Sequence, residues 1–177
     1  MTYVSGLSGD STGIIEGYAS LFNVDDSEQD VIAPGAFDAS LKAWVQNGRS
    51  LPLLWQHDVT QPLGKWLVLK PDAKGLFVRG QLFIHEVKQA AEAYALVKRG
   101  ALTGLSIGYR AEQARRDAGR GLRVLERVKL YEISLVTFPA LEAARVSAVK
   151  ASQPDPALVA ELRRFSSWLG SATSASH

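Results

Sequence analysis

The sequence predicts an α+β domain in which a mostly antiparallel sheet curves into a barrel. Three observations favour this fold class. Within residues 12–150, about seven stretches are rich in the β-branched and aromatic residues of strands, and only two have the periodicity of helices. Turn-forming segments such as 71–75 separate neighbouring strands, as in antiparallel hairpins. The chain has 177 residues and is 46% apolar, which is enough for one hydrophobic core.

The predicted elements follow one another with clear sequence boundaries. The first helix opens at Pro34-Gly35 and ends at Asn47-Gly48, and the second spans 86–99 and ends at Gly100. An acidic loop occupies 23–30. The apolar face of the first helix consists of Phe37, Leu41, Trp44 and Val45. The predicted strands are 12–22, 51–56, 64–69, 76–84, the segment from Gly104 through Tyr109, 122–137 and 145–149.

The chain divides into three parts. Residues 1–11 are polar and rich in Gly and Ser, which predicts a flexible N-terminal arm. Residues 12–150 form the domain. Residues 151–177 begin with the linker-like sequence ASQPDP and continue as an amphipathic helix over 157–169 and a low-complexity tail. We consider two roles for this last part, docking to a partner and simple packing on the domain.

Composition excludes several classes of protein. The formal net charge is +2, and the basic residues are scattered rather than clustered, so no nucleic-acid partner is expected. Cysteine is absent, which excludes disulfides, thiolate chemistry and Cys-ligated zinc and suits a reducing cytoplasm. No apolar run has the length of a membrane span, and the N-terminus lacks a signal-peptide pattern. We expect a soluble cytoplasmic protein without cofactors.

The segment Gly104-Leu105-Ser106-Ile107-Gly108 places a serine between two glycines. Glycines at these positions keep side chains away from the hydroxyl and permit backbone angles that aim amides at an oxyanion. This is the arrangement that an acyl-transfer nucleophile needs. The α/β-hydrolase form of the motif is excluded, because a helix precedes the serine and the terminal His177 is the only histidine downstream.

A serine nucleophile needs a base, and the sequence contains three histidines. His177 ends the low-complexity tail, and His85 has the sequence context of a surface or capping residue. His57 follows an apolar strand and begins a loop, which is where functional sites are usually built. His57 is therefore the predicted base.

Glu132 is the candidate third group. Strict alternation over 128–136 places Leu130, Glu132 and Ser134 on one face of a largely apolar strand, where a carboxylate needs a partner. Two interpretations stay open: pairing with an arginine, or acceptance of a hydrogen bond from the His57 ring. Asp58 adjoins His57 but points to the opposite face of the strand. The candidate arginines are Arg79, Arg110 and Arg127. The acidic residues 25, 26, 28 and 30 lack the spacing of a calcium loop, so no metal site is predicted.

Several stretches together resemble the prohead, or head-maturation, proteases of tailed phages. The resemblance covers roughly residues 13–150, and its motifs occur in the same order. They are Gly17-Tyr18-Ala19 with Phe22-Asn23, the segment Ile32 to Phe37, the segment Leu53 to Asp58 with Pro62-Leu63-Gly64, the segment Gly104 to Tyr109, and the segment Glu132 to Val136 with Pro139.

The resemblance implies a serine endopeptidase related in fold to herpesvirus assembly proteases, with a β-barrel core surrounded by helices. Such enzymes cut the scaffolding segment from the major capsid protein, and often cut themselves, inside the immature capsid in the host cytoplasm. By motif, Ser106 is the nucleophile, His57 the base and Glu132 the third member, with amides around Ile107-Gly108 for the oxyanion. The herpesvirus relatives use a second histidine as third member, for which this chain has no well-placed candidate. Family members often form homodimers.

Two alternatives are kept. The first is a non-catalytic capsid assembly factor with the same fold, against which the presence of Ser106, His57 and Glu132 argues. The second is a cellular peptidase or esterase unrelated to capsids, which turnover of small peptides or esters would favour.

Overall fold

A computed structural model describes residues 3–4 and 13–150 of the chain. The predicted linker, amphipathic helix and tail of 151–177, and most of the predicted arm, lie outside the described residues. Within them are nine strands and two helices. In chain order these are β1 (Tyr3–Val4), β2 (Ile14–Leu21), β3 (Asp30–Ile32), α1 (Asp38–Gln46), β4 (Pro52–Trp55), β5 (Asp58–Pro71), β6 (Gly75–Leu82), α2 (Lys88–Lys98), β7 (Gly104–Asp117), β8 (Leu122–Val136) and β9 (Val146–Lys150).

All strands belong to one sheet in the order β3-β8-β4-β5-β6-β2-β9, with β7 beside β8 and β1 beside β5. The sheet is mixed rather than uniformly antiparallel, because β3 and β4 both run parallel to β8. The other pairs are antiparallel, as the sequence predicts. A parallel pair joins segments far apart in the chain and leaves no hairpin turn between them, so the sequence carries no local signal for it.

The sheet curls into a barrel that is only half closed. A short bridge between Gly104 and Arg145 joins β7 to the segment before β9, and the Leu105 N–H donates to Ala144 O at 2.9 Å. Beyond this bridge, β7 and the end of β2 lie against each other without a ladder in the described part of the chain. We call this stretch without a ladder, between residues 19–21 and 106–109, the seam.

A single hydrophobic core fills the barrel and extends under both helices. Its members alternate along the strands, as expected where one face of a sheet is buried. Helix α2 contributes Ala90, Ala93 and Val97, which confirms it as an amphipathic helix. The largest fully buried side chains include Trp66, Phe37, Leu53, Leu69 and Leu76. None of the helices in the described residues is long and apolar enough to span a membrane.

Helix α1 covers a gap along one edge of β8. Strand β3 pairs with residues 123–125 and β4 with residues 133–135, so neither reaches the residues between. There the Leu130 N–H donates to Ser40 Oγ at 2.9 Å, and Trp44 Nε1–H donates to Leu130 O at 2.9 Å. Side chains of α1 thus satisfy backbone groups that would otherwise be buried without partners.

Ser40→Ala should destabilise the domain by about 1–2 kcal/mol, because it leaves the buried Leu130 N–H without an acceptor. Urea unfolding followed by tryptophan fluorescence measures this change. The matched control is Ser147→Ala, whose exposed hydroxyl bonds only to Glu16 O and whose removal should change the unfolding free energy by less than about 0.5 kcal/mol. Equal stability of the two variants would contradict the capping role of Ser40.

Candidate active site

The register of β7 against β8 places the candidate residues on one face. Ser106 lies directly opposite Ser134, and Gly108 directly opposite Glu132. Residues opposite each other in an antiparallel pair point to the same side of the sheet. Ser106 and Glu132 are each 7% exposed. The serine thus lies within a strand rather than on a strand–helix elbow, which agrees with the exclusion of an α/β-hydrolase site.

A β-bulge in β8 sets the direction of Glu132. Gly108 pairs with Glu132 but Tyr109 pairs with Leu130, so Tyr131 is an extra residue. The expectation that Leu130 and Glu132 share a face is therefore wrong: Leu130 is fully buried in the core, whereas Glu132 faces the site. The bulge shifts the alternation of side chains by one residue, so that the Glu132 carboxylate points to the site rather than into the core.

His57 occupies a two-residue turn between β4 and β5. Both turn residues have positive φ, 50° at Gln56 and 62° at His57. Such a turn suits the twist of a hairpin, but each non-glycine residue in it costs roughly 1–2 kcal/mol. Bonds to the end of β8 offset this strain. The Gln56 N–H donates to Leu135 O at 2.9 Å, and the Gln56 side chain donates to Thr137 Oγ1 at 2.8 Å and accepts from the Thr137 N–H at 3.2 Å.

Glu132 binds the His57 ring, with 2.7 Å between Nδ1 and Oε1. Of the two interpretations of this carboxylate, pairing with an arginine or with the His57 ring, the structure shows the second. The hydrogen bond that the ring donates to Glu132 raises the pKa of His57 above its ordinary 6.5, and partial burial of the ring opposes this effect. With Nδ1–H donating to the carboxylate, Nε2 is left to accept a proton. The other carboxylate oxygen, Oε2, accepts a hydrogen bond from the Ser134 hydroxyl at 2.6 Å.

Ser106 and His57 line the same cleft, which has a volume of about 160 Å³. The cleft opens at the seam, so the end of β2 forms its opposite wall. Asp26, Glu28 and Asp30 also line it. The structure thus brings the predicted nucleophile, base and carboxylate together beside the seam, where β7 and β2 are not joined by a ladder within the described residues.

The two glycines of the motif provide room rather than unusual backbone angles. A Cβ added to Gly108 would lie 2.1 Å from Glu132 Oε1, and one added to Gly104 would lie 2.5 Å from Val136 O. Neither glycine has a positive φ. Gly108 is therefore needed because the Glu132 side chain crosses over it on its way to His57.

Backbone alternation separates the two amides expected to serve an oxyanion. The Leu105 N–H points away from β8, since it bonds to Ala144 O. Successive N–H groups in a strand point to opposite edges. The Ile107 N–H therefore points to the seam, whereas the Gly108 N–H points into the ladder with β8. Of these two amides, only that of Ile107 is directed toward the cleft.

The remaining predicted residues take no part in this cluster. Asp58 accepts hydrogen bonds from the Thr60 N–H at 2.8 Å and Thr60 Oγ1 at 2.6 Å, and these bonds lower its pKa. His85 is exposed on a different part of the surface, and His177 lies outside the described residues. Among residues 3–4 and 13–150, no group of three or more His, Cys, Asp or Glu side chains is placed to hold a metal ion.

Sequence reasoning missed a buried ion pair beside the cleft. Asp30 is 2% exposed and receives two hydrogen bonds from Arg123 and one from Tyr109, whose hydroxyl donates to Oδ2 at 2.9 Å. The Arg123 bonds lower the pKa of Asp30. The network ties β3 to β7 and β8 at the floor of the cleft. The sequence places Asp30 in an acidic loop and indicates no partner for it, and nothing in the sequence links it to a residue 93 positions away.

Comparison with known proteins finds a matching family and several relatives of this chain. The model of a family described as caudovirus prohead serine protease matches residues 3–157. The chain is 39% identical over 140 residues to the prohead protease of Enterobacteria phage HK97, covering 78% of this chain and 60% of that protein. It is 31% identical over 125 residues to the prohead protease of Escherichia phage T5, covering 71% of this chain and 57% of that protein. The chain thus spans about three fifths of the length of these relatives.

Two solved structures share the fold at low sequence identity. The capsid assembly protease of bacteriophage T4 matches with a TM-score of 0.53 and 14% identity, covering 70% of this chain and 81% of that chain. KSHV protease in complex with a hexapeptide phosphonate inhibitor also matches with a TM-score of 0.53 and 14% identity, covering 87% of this chain and 75% of that chain. These likenesses confirm the predicted herpesvirus-protease-like fold, as a mostly β half-barrel with two helices in the described residues.

Gly108→Ala should displace the Glu132 carboxylate, because the new methyl would overlap Oε1. The His57 pKa should then fall toward 6.5, which an NMR titration of the ring protons measures directly. The control is Gly119→Ala, at a turn where the added Cβ meets only Asp117 Oδ1 at 3.5 Å. An unchanged His57 pKa in folded Gly108→Ala would show that the carboxylate does not depend on this space.

Proposed function

The chain belongs to the caudovirus prohead serine protease family, and from this premise we propose that it is a serine endopeptidase of capsid maturation. The observation that carries the proposal is the placement of Ser106 and His57 in one cleft, with the Glu132 carboxylate 2.7 Å from the far ring nitrogen. A nucleophile, a base and a group that orients the base are the parts that acyl transfer requires.

The proposed mechanism follows from the direction of each group. Ser106 Oγ attacks the peptide carbonyl while His57 Nε2 accepts the hydroxyl proton. Glu132 stabilises the imidazolium that forms. When the C–N bond breaks, His57 returns the proton to the leaving amine. Water then attacks the ester carbonyl, with His57 again accepting a proton. When the bond between the acyl carbon and Ser106 Oγ breaks, His57 returns this proton to Oγ, which releases the acid product and restores Ser106.

We assign the Ile107 N–H as a donor to the oxyanion. It follows the nucleophile directly and points to the seam, whereas the Gly108 N–H is directed into the ladder with β8. An amide of the residue after the nucleophile commonly serves this role. Because the seam-side edge of β7 has no ladder beyond the Leu105 N–H in the described residues, an extended peptide has both a backbone edge to pair with and the Ser106 hydroxyl beside it.

We propose that the substrate is the major capsid protein, cut at the end of its scaffolding segment inside the prohead, and that the enzyme also cuts itself. Two relatives are named prohead proteases. A third, from Pseudomonas phage PAJU2, is named capsid polyprotein, and the matched part is 20% of its length. A protease sequence within a capsid polyprotein supports a capsid substrate. A homodimer, and a site of action within immature capsids in the host cytoplasm, are part of this proposal.

Ser106→Ala should abolish processing of the capsid protein, because no other group replaces the nucleophile. The test is co-expression of the chain with the major capsid protein of the same phage, with the masses of both followed. The matched control is Ser147→Ala, an exposed serine away from the cleft. Loss of an N-terminal capsid segment with wild type and the control alone is the expected result. Identical processing by Ser106→Ala would remove Ser106 as nucleophile, and no processing by any form would favour the non-catalytic assembly factor.

Activity should rise with pH through a midpoint above 6.5, because the base must be neutral and Glu132 raises the pKa of His57. Glu132→Gln removes the charge that favours the imidazolium. The midpoint of kcat/KM should then move down toward 6.5, and the plateau should fall on the order of 100- to 10,000-fold. The control is Glu126→Gln on the distant Arg115 pair. A midpoint that stays the same in Glu132→Gln would contradict the assigned pairing.

A further inference from the structure

Ser134 connects two parts of the site that the mechanism treats separately. Its side chain is 0% exposed. The hydroxyl accepts a hydrogen bond from the backbone N–H of His57 at 3.1 Å and donates its own hydrogen to Glu132 Oε2 at 2.6 Å. Since Glu132 Oε1 binds the His57 ring at 2.7 Å, the three residues form a closed ring of hydrogen bonds.

We propose that Ser134 is a positioning residue, whose hydroxyl holds the Glu132 carboxylate and the His57 backbone in the single arrangement that presents the imidazole to Ser106. This inference rests on the proposed function for its kinetic consequence but not for its geometry. Ser134 lies opposite Ser106 in the register, yet its hydroxyl hydrogen is committed to the carboxylate, so it acts through Glu132 and His57.

The carboxylate needs this second bond. A glutamate side chain has three rotatable bonds, and one hydrogen bond to an exposed ring does not fix all of them. The His57 side chain is 43% exposed, so packing alone does not hold its ring. Ser134 instead lies at the buried end of the carboxylate. Its bond orients the carboxyl plane, which leaves Oε1 directed at the ring.

The turn between β4 and β5 also depends on the Ser134 hydroxyl. Gln56 and His57 are consecutive positive-φ residues, and β8 supplies the acceptors that hold them. Gln56 is held by Leu135 and Thr137, whereas the N–H of His57 itself is held by Ser134. Loss of the hydroxyl therefore loosens the turn at the residue that carries the imidazole. A misplacement of about 1 Å in such a site costs about 100-fold in rate.

A buried serine that merely satisfies its own hydrogen bonds would affect stability alone. Ser40 provides the comparison. It is 7% exposed, and its hydroxyl accepts a hydrogen bond from the backbone N–H of Leu130 in β8, the strand that also carries Ser134. Ser40 itself lies outside the site. Ser40→Ala and Ser134→Ala each remove one buried hydroxyl that accepts a backbone N–H. Only the second also removes a donor to Glu132.

The test is an NMR titration of the His57 ring combined with steady-state cleavage of a peptide spanning the capsid cleavage site. The proteins are wild type, Ser134→Ala, Ser134→Cys and Ser40→Ala. Besides Glu132, the titratable and charged groups near the ring are Asp58 on its own hairpin, Asp26 and Glu28 of the acidic loop, Asp30 of β3, Tyr109 and Arg110 of β7, and Arg123 of β8. All of them are the same in each protein.

Ser134→Ala should lower the His57 pKa toward 6.5 and reduce kcat about 10- to 100-fold, with KM changed less than about threefold. Ser40→Ala should keep the wild-type pKa. If Ser134→Ala does not fold, Ser134→Cys replaces it, because a thiol has nearly the same size but is a weak donor. The His57 pKa in Ser134→Cys should also fall toward 6.5.

A wild-type pKa and kcat in a folded Ser134 variant would overturn the proposal while leaving the protease function intact. A lowered pKa in Ser134→Ala but not in Ser40→Ala, in a chain that cleaves no peptide, would support the positioning role and reject the proposed activity. A reduced kcat with an unchanged pKa would assign Ser134 a structural role only.

Discussion

The register between β7 and β8 is the constraint on which the site depends. It places Gly108 opposite Glu132, so that the one residue without a side chain lies where the glutamate must cross to reach His57. A slip of one residue would put Ile107 there and turn Ser106 into the core. The alternating core residues of both strands oppose such a slip, because it would expose their apolar side chains. Packing inside the barrel therefore fixes chemistry on its outer face.

The cleft and the cluster of Ser106, His57 and Glu132 both depend on the incomplete closure of the barrel. The bridge between Gly104 and Arg145 brings β7 close to β2, and beyond it no ladder joins the two strands in the described residues. The unpaired edge that results is a hazard in most sheets, since it invites pairing with other chains. In a protease this edge is useful, because an extended substrate is itself a strand that needs a partner. The cleft requires no second domain.

Local signals in the sequence were sufficient for most elements and for selecting the three candidate residues. The helix α2 and the long strand β8 follow from the sequence pattern. Ser106 and His57 are candidates because of the chemistry that each residue type performs, and Glu132 is one because a carboxylate in an apolar strand needs a partner. Three features could not be predicted. The parallel pairs with β8 depend on distant segments, the bulge at Tyr131 reverses an alternation that is correct on either side of it, and the His57 turn contains no glycine to reveal its positive φ.

Glu132 shows how burial and function are reconciled. A carboxylate in a strand of apolar residues is destabilising unless its oxygens are bonded. Here both are, one to a histidine and one to a serine of the same strand. The bond between Glu132 and the ring raises the pKa of His57 and fixes the position of the ring. The interactions that make the buried charge tolerable are therefore those that prepare the base, and stability and activity should respond together when either partner is changed.

The most direct measurement is the site and rate of phosphonylation by a fluorophosphonate probe, read by intact mass and peptide mapping. The proposed site predicts a single adduct on Ser106 in wild type, forming much more slowly in His57→Ala and in Glu132→Gln. The reaction needs no knowledge of the cleavage sequence, so it tests the alignment of the three residues alone. An adduct on another serine, or equal rates in wild type and His57→Ala, would contradict the account.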